Sequence, residues 1–116
     1  MGFEVRLRAI ELSLASLLRE YAQTFGIAYA ILSKSPLSRN LILILRFIES
    51  DRFGDRLSLI LDFVTLLPPM PIDVYDFDTL PREFLMYSLR HGKVVYVGNY
   101  ETYIRDLERL FGTSSS

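Results

Sequence analysis

Residues Pro71-Ile72-Asp73-Val74-Tyr75-Asp76-Phe77-Asp78-Thr79-Leu80-Pro81 join a short β-branched and aromatic run to an acidic turn and a proline. Ile72 to Phe77 reads as a strand, because such side chains suit a pleated, half-buried surface. Asp78-Thr79 offers a capping oxygen, and Pro81 suits a first helical turn, where its missing N–H costs nothing. Phe84, Leu85 and Leu89 then mark a helix that closes at His91-Gly92, a glycine being suited to the position just past a helix end. Val94 to Val97 is a second short strand.

Working outward from this unit, Leu7, Ile10, Leu14, Leu17, Leu18, Tyr21 and Phe25 recur at helical spacing and predict one long amphipathic helix. Gly26 follows, suited to a left-handed closure. Ile27 to Leu32 is expected to be a strand. After the break at Ser33-Lys34-Ser35-Pro36, Asn40 to Ile48 is continuous enough in apolar residues to be a strand buried on both faces. Asp51, Arg52 and Gly54 predict a turn. Leu57, Ile60, Leu61, Val64 and Leu67 mark a second helix that Pro68-Pro69 ends. Tyr100, Tyr103, Ile104, Leu107, Leu110 and Phe111 stripe a final helix. The order is α-β-β-α-β-α-β-α, an α/β (α+β) arrangement with a mixed sheet of about four strands flanked by about four helices.

Composition narrows the classes. The chain has 116 residues, half of them hydrophobic, enough for the core of one domain. We expect a single domain over residues 1–112 and a flexible tail at 113–116, Thr113-Ser114-Ser115-Ser116. Thirteen basic residues against 14 acidic ones give no global positive field to attract phosphate backbones, so nucleic acid is not an expected partner. The absence of cysteine excludes disulfides, thiolate metal sites and thiol catalysis, and makes a reducing cytoplasm the simplest compartment. Glu4, Arg6, Arg8 and Glu11 interrupt the opening apolar region, which therefore does not read as a secretion signal. The longest apolar run, Leu41 to Leu45, is far short of the roughly 20 residues of a membrane-spanning helix.

The passage from Pro71 to Pro81, continued by Leu89-Arg90-His91-Gly92-Lys93-Val94-Val95-Tyr96, resembles the minimal nucleotidyltransferases of the polymerase-β superfamily over most of the chain. The resemblance implies a catalytic corner with a Gly-Ser turn after the first strand, two aspartates one residue apart on the second, and a third aspartate on a neighbouring strand. Together these would hold Mg²⁺ and ATP for nucleotidyl transfer, with the turn's N–H groups near the phosphates and the carboxylates on the metal. This chain departs from that pattern. Ser33-Lys34-Ser35-Pro36 replaces the Gly-Ser turn, Asn40 or Leu41 stands at the first carboxylate position, and Asp73 is the remaining candidate. One carboxylate and an amide are a poor ligand set for Mg²⁺, so no cofactor is expected.

Other readings are weighed beside this one. Asp76 and Asp78 could form a relocated metal pair, but strand alternation turns Asp73 away from Asp76 and the expected cap occupies Asp78, which leaves a solvated strand end as the simpler account. Ser33, Lys34, Ser35 and Asn40, with Ser38 and Arg39, could bind an anion, though the glycines that permit close phosphate approach are missing. His91, in a last helical turn, is assigned a dipole or solvent role in preference to a base. Tyr96, Tyr100, Tyr103 and Phe111 are expected to be core or interface residues.

The resemblance implies pairing with an all-helical HEPN protein in a toxin-antitoxin system. The expectation is therefore a degenerate nucleotidyltransferase-like protein-binding module that forms a homodimer. An Mg²⁺- and ATP-dependent nucleotidyltransferase using Asp73, or a self-associating structural protein, are the alternatives.

Overall fold

The computed structural model describes residues 2–35, 37–48 and 55–112. The expected turn at Asp51, Arg52 and Gly54, and the tail at 113–116, lie outside them. Helix α1 spans Gly2–Phe25 and seats Leu14, Leu18 and Ala22 fully in the core. Gly26, at φ 71°, then turns the chain into the first strand, a left-handed conformation that glycine adopts without a Cβ clash.

Strands β1 (Ile27–Lys34) and β2 (Leu41–Phe47) form an antiparallel hairpin, paired from Ile27 with Phe47 to Lys34 with Leu41. Both are buried almost throughout, as expected for central strands covered on two faces. Helix α2 (Arg56–Val64) begins at Asp55, whose carboxylate accepts from Leu57 N–H at 3.1 Å. Strand β3 (Ile72–Asp76) lies parallel to β2, and a 3-10 turn over Phe77–Thr79 leads to helix α3 (Arg82–His91). Strand β4 (Lys93–Val97) pairs antiparallel with β1, and helix α4 (Tyr100–Phe111) starts at Asn99, whose side chain accepts from Thr102 N–H at 3.0 Å. The sheet order is β3-β2-β1-β4.

Strand alternation divides the core in two. Leu43, Leu45 and Phe47 face α1 and α2 with Phe63, whereas Ile42 and Ile44 face α3 and α4 with Tyr29, Ile31 and Phe77. The eight principal elements agree in kind and order with the sequence expectation.

Helix α2 turns part of its apolar surface outward: Leu57, Leu61 and Val64 are 62%, 59% and 42% exposed. Leu59, Ile60 and Leu67 pack on the core around fully buried Phe63. A helix ending at Val64 can bury only one arc of its surface, and the arc chosen seats Phe63 edge-on against Phe25, with ring centroids 5.7 Å apart. Before α3, Asp78 is not the helix cap. Asp76 caps the 3-10 turn by accepting from Asp78 N–H at 3.0 Å, and Pro81 occupies the position ahead of α3 without a side-chain cap.

Candidate functional site

The sheet brings the C-terminal end of β1 beside the starts of β2 and β3, with Leu41 paired to both Lys34 and Ile72, and Ile42 paired to Asp73. This is the corner where the resemblance places catalysis. Asn40 meets Asp73 there, its Nδ2 donating to Asp73 Oδ2 at 3.4 Å, with both residues exposed. An amide N–H directed at a carboxylate competes with a cation for the same oxygen. Following Asn40, β2 supplies Leu41, Ile42 and Leu43, and the two side chains after Leu41 are buried hydrocarbon. The donor set at the corner, one carboxylate beside an amide, does not fit Mg²⁺, which takes oxygen ligands in near-octahedral geometry.

The Ser33–Asn40 loop directs its polar groups largely at itself. Ser33 Oγ is buried and donates to the Lys34 carbonyl at 3.2 Å. Ser35 Oγ accepts from Leu37 N–H at 3.1 Å, Ser38 Oγ accepts from Asn40 N–H at 3.2 Å, and Ser35 N–H donates to the Asn40 carbonyl at 3.0 Å. Such short-range bonds are those of a polar turn. Ser33 and Lys34 do line a depression of about 410 Å³ together with Glu11, His91 and Lys93, and Glu11 pairs with Lys93 at 3.2 Å. His91 is exposed and rests on the Tyr87 ring, with centroids 4.7 Å apart.

Asp73 and the Asp76–Asp78 pair are not brought together. Asp73 lies beside Ile42 at the start of β3, while Asp76 pairs with Leu45 at its far end. Asp78 accepts a hydrogen bond from the Arg56 guanidinium, Asp76 forms an ion pair with it at 3.8 Å, and Arg46 Nη1 stands 3.9 Å from Asp78. Protein cations thus balance this pair. Among the described residues, no group of three or more His, Cys, Asp or Glu side chains is arranged to hold a metal ion.

A polar constellation absent from the sequence reading lies at the opposite end of the sheet. Asp106 on α4 is fully buried and accepts from Arg46 Nε at 2.7 Å and from the Tyr29 hydroxyl at 2.8 Å. Arg46 also donates to the Phe47 carbonyl at 2.9 Å, and its guanidinium stands over the Phe77 ring. Burial raises the Tyr29 pKa, and the hydrogen bond and negative charge of Asp106 raise it further. Burial lowers the Arg46 pKa, but the hydrogen bond and charge of Asp106 outweigh it, and the net shift is upward. The signal was present in the sequence: Arg46 interrupts a strand of hydrocarbon, and a charge so placed needs a partner. Beside the network, a cleft of about 430 Å³ runs between the 3-10 turn and α4, with Arg82 and Arg109 among its lining residues.

The aromatic set divides. Tyr103 packs edge-on to Tyr29 with centroids 5.0 Å apart, and Tyr96 packs partly buried against the first core. Tyr100 is 68% exposed. No helix among the described residues is long and apolar enough to cross a membrane.

No family model and no curated protein matches the chain. A chain in the solved structure of tri-AMPylated Shewanella oneidensis HEPN toxin in complex with MNT antitoxin is similar, at a TM-score of 0.55 and 13% identity. The match covers 87% of this chain and 81% of that one. The mixed four-stranded sheet and its four helices accordingly have a nucleotidyltransferase-like fold.

Proposed function

We propose that this chain is a catalytically degenerate nucleotidyltransferase-like protein that works by binding another protein, as the antitoxin-like member of a cytoplasmic pair whose partner is a small helical HEPN protein. The observation that carries the reading is the contact between Asn40 Nδ2 and Asp73 Oδ2. An amide donor and hydrocarbon occupy the place where metal-dependent transfer needs acceptor oxygens. The likeness to a chain from a HEPN toxin–MNT antitoxin complex supports the choice of partner. On this reading this chain inhibits by covering the partner's active surface, with affinity from apolar and aromatic anchors. Exposed Leu57, Leu61, Tyr100 and Ile104 are available as such anchors, or for a homodimer.

Co-expression with a helical HEPN protein encoded beside this chain tests the reading. A complex that is stable in size-exclusion chromatography and suppresses the partner's toxicity is expected, together with no binding heat from ATP and Mg²⁺ in calorimetry. A well-expressed pair that stays apart removes the antitoxin role. Saturable ATP binding that disappears in Asp73→Asn returns the chain to the enzymes.

A further inference from the structure

The cleft between the 3-10 turn and α4 has apolar walls, from Phe77, Leu80, Leu85 and Leu110, and four charged groups, Asp78, Arg82, Asp106 and Arg109. The charges cancel by count, but their bonding separates them. Asp106 is buried and already accepts from Arg46 Nε at 2.7 Å and from the Tyr29 hydroxyl at 2.8 Å. Asp78 accepts from the Arg56 guanidinium. Each carboxylate is thus engaged by an arginine that stands outside the lining. The two arginines within it are not matched in return. Arg82 gives one N–H to the Leu110 carbonyl at 3.0 Å and, among the described residues, forms no ion pair. Arg109 is 69% exposed, and Asp106 Oδ1 lies 3.9 Å from its Nη1, beyond hydrogen-bond reach. A guanidinium carries five N–H donors, so most of those at the rim are unspent. Because Arg82 reaches the carbonyl of the residue after Arg109, the two heads belong to one rim. The charges next to them do not change this balance: Arg105 and Glu108 on α4 are of opposite sign at helical-neighbour spacing, and Glu83 projects about 100° further round α3 than Arg82.

We propose that this cleft is a binding site for a small monocarboxylate with an apolar body, an aryl- or alkyl-substituted carboxylic acid. Its carboxylate takes the unspent donors of Arg82 and Arg109, whose planar forks match two oxygens at once. Its body lies against Leu80, Leu85 and Leu110. A volume of about 430 Å³ is that of a small-molecule pocket, and apolar walls with a few convergent polar groups are the usual composition of one. One negative charge fits better than two, because Asp78 and Asp106 line the same space and repel a dianion more strongly than a monoanion. A cation would find both carboxylates taken and the two arginines at the rim. The cleft follows the far end of β3, whereas Asn40 and Asp73 meet at its start, so this site is separate from the corner of the sheet. It is also independent of the protein-binding reading, which can fail without affecting it.

Titration of the isotopically labelled full chain with 3-phenylpropionate, followed by NMR, tests the site. Saturable shifts centred on Leu80, Leu85 and Leu110 are expected, with a Kd of about 1 mM or tighter, as suits a ligand of this size. The alcohol of the same shape, 3-phenylpropan-1-ol, should bind at least about tenfold more weakly, and 3-phenylpropylamine more weakly still. Acetate, the anion without the body, should not saturate by about 10 mM. Arg109→Gln should weaken the acid by about tenfold and leave the alcohol unchanged. Arg19→Gln, at an exposed position on α1, should leave both unchanged. Arg82 also holds the end of α4, so Arg82→Gln enters the comparison only if its thermal melt matches wild type, and exposed Arg109 carries the test otherwise. Equal affinity for the acid and the alcohol, shifts centred away from the cleft, or binding that Arg109→Gln leaves intact overturns the proposal. So does the lack of any saturable shift by about 10 mM, or inorganic phosphate binding more tightly than the acid. A dimer in light scattering that Arg109→Gln dissociates overturns it as well, because a second copy then fills the cleft.

Discussion

Arg46 and Asp106 stand 60 residues apart in sequence and meet at 2.7 Å in the interior, each with a side chain 2% exposed. The contact ties the last helix to a central strand. Taking two charges out of water is costly, and the pair persists because its remaining groups are bonded: Tyr29 donates to Asp106, and Arg46 donates to the Phe47 carbonyl. Removing one partner takes from the other, still buried, its nearest opposite charge. Asp106→Leu is expected to cost about 3–5 kcal/mol in urea unfolding. Arg46→Met/Asp106→Leu should lose less than the sum of the single changes, because hydrocarbon then faces hydrocarbon. Additive losses would mean that the two residues act independently.

Tyr29 gives the network a pH dependence. Its hydroxyl is held above the ordinary tyrosine range first by burial and then by Asp106. In the unfolded chain the phenol ionises near pH 10, whereas in the folded chain it keeps its proton. The stability tied to this proton is fully present below about pH 10 and is lost as pH rises further, since the unfolded state then releases a proton that the folded state retains. Thermal melts between pH 8 and 11 should show this fall, and Tyr29→Phe should flatten it. At neutral pH the same substitution removes one donor from Asp106 and should cost about 1–2 kcal/mol.

Much of the architecture was legible because hydrophobic pattern and punctuation agree. The run from Leu41 to Phe47 could only be a central strand, and Gly26 takes the left-handed turn its position implies. Asn40 and Asp73, 33 residues apart and both singled out from the sequence, are neighbours in the sheet corner. The Arg46–Asp106–Tyr29 network was not read, because its members lie on three elements and converge only when the sheet and α4 are assembled. Arg46 alone pointed to a missing partner without naming it. The facing of α2 was not legible because Leu57, Leu61 and Val64 are as apolar as Leu59, Ile60 and Phe63, so the helix has two apolar arcs and periodicity cannot choose between them.

That ambiguity yields a direct comparison. Phe63 is fully buried beside Phe25, whereas Leu61 is 59% exposed. Phe63→Ala should destabilise the isolated chain by about 3–5 kcal/mol through lost burial and the cavity left behind. Leu61→Lys should stay within about 0.5 kcal/mol of wild type, as surface substitutions do. Chemical denaturation of both variants checks the orientation of α2, and a reversed order of losses would mean that the helix is rotated about its axis.

Gly92 shows why the end of α3 can press against the sheet beside the C-terminal end of β1. Its φ of −91° is open to any residue, so the requirement is space. A Cβ added there would stand 2.5 Å from the Ser88 carbonyl oxygen, 2.7 Å from that of Leu32 and 2.9 Å from Ser33 Cβ. Two of these three obstacles are backbone atoms, one in α3 and one in β1, and neither can swing aside as a side chain would. Accommodating a methyl group must separate the helix end from the strand, which disturbs the bond from Gly92 N–H to the Ser88 carbonyl and the position of Ser33. Gly92→Ala is therefore expected to destabilise the fold by about 1–3 kcal/mol, the usual cost of overpacking, despite the better helix propensity of alanine. Hydrogen exchange should show the loss of protection centred on Gly92 and the C-terminal end of β1. A variant as stable as wild type, with exchange unchanged there, would mean that α3 and β1 do not approach this closely.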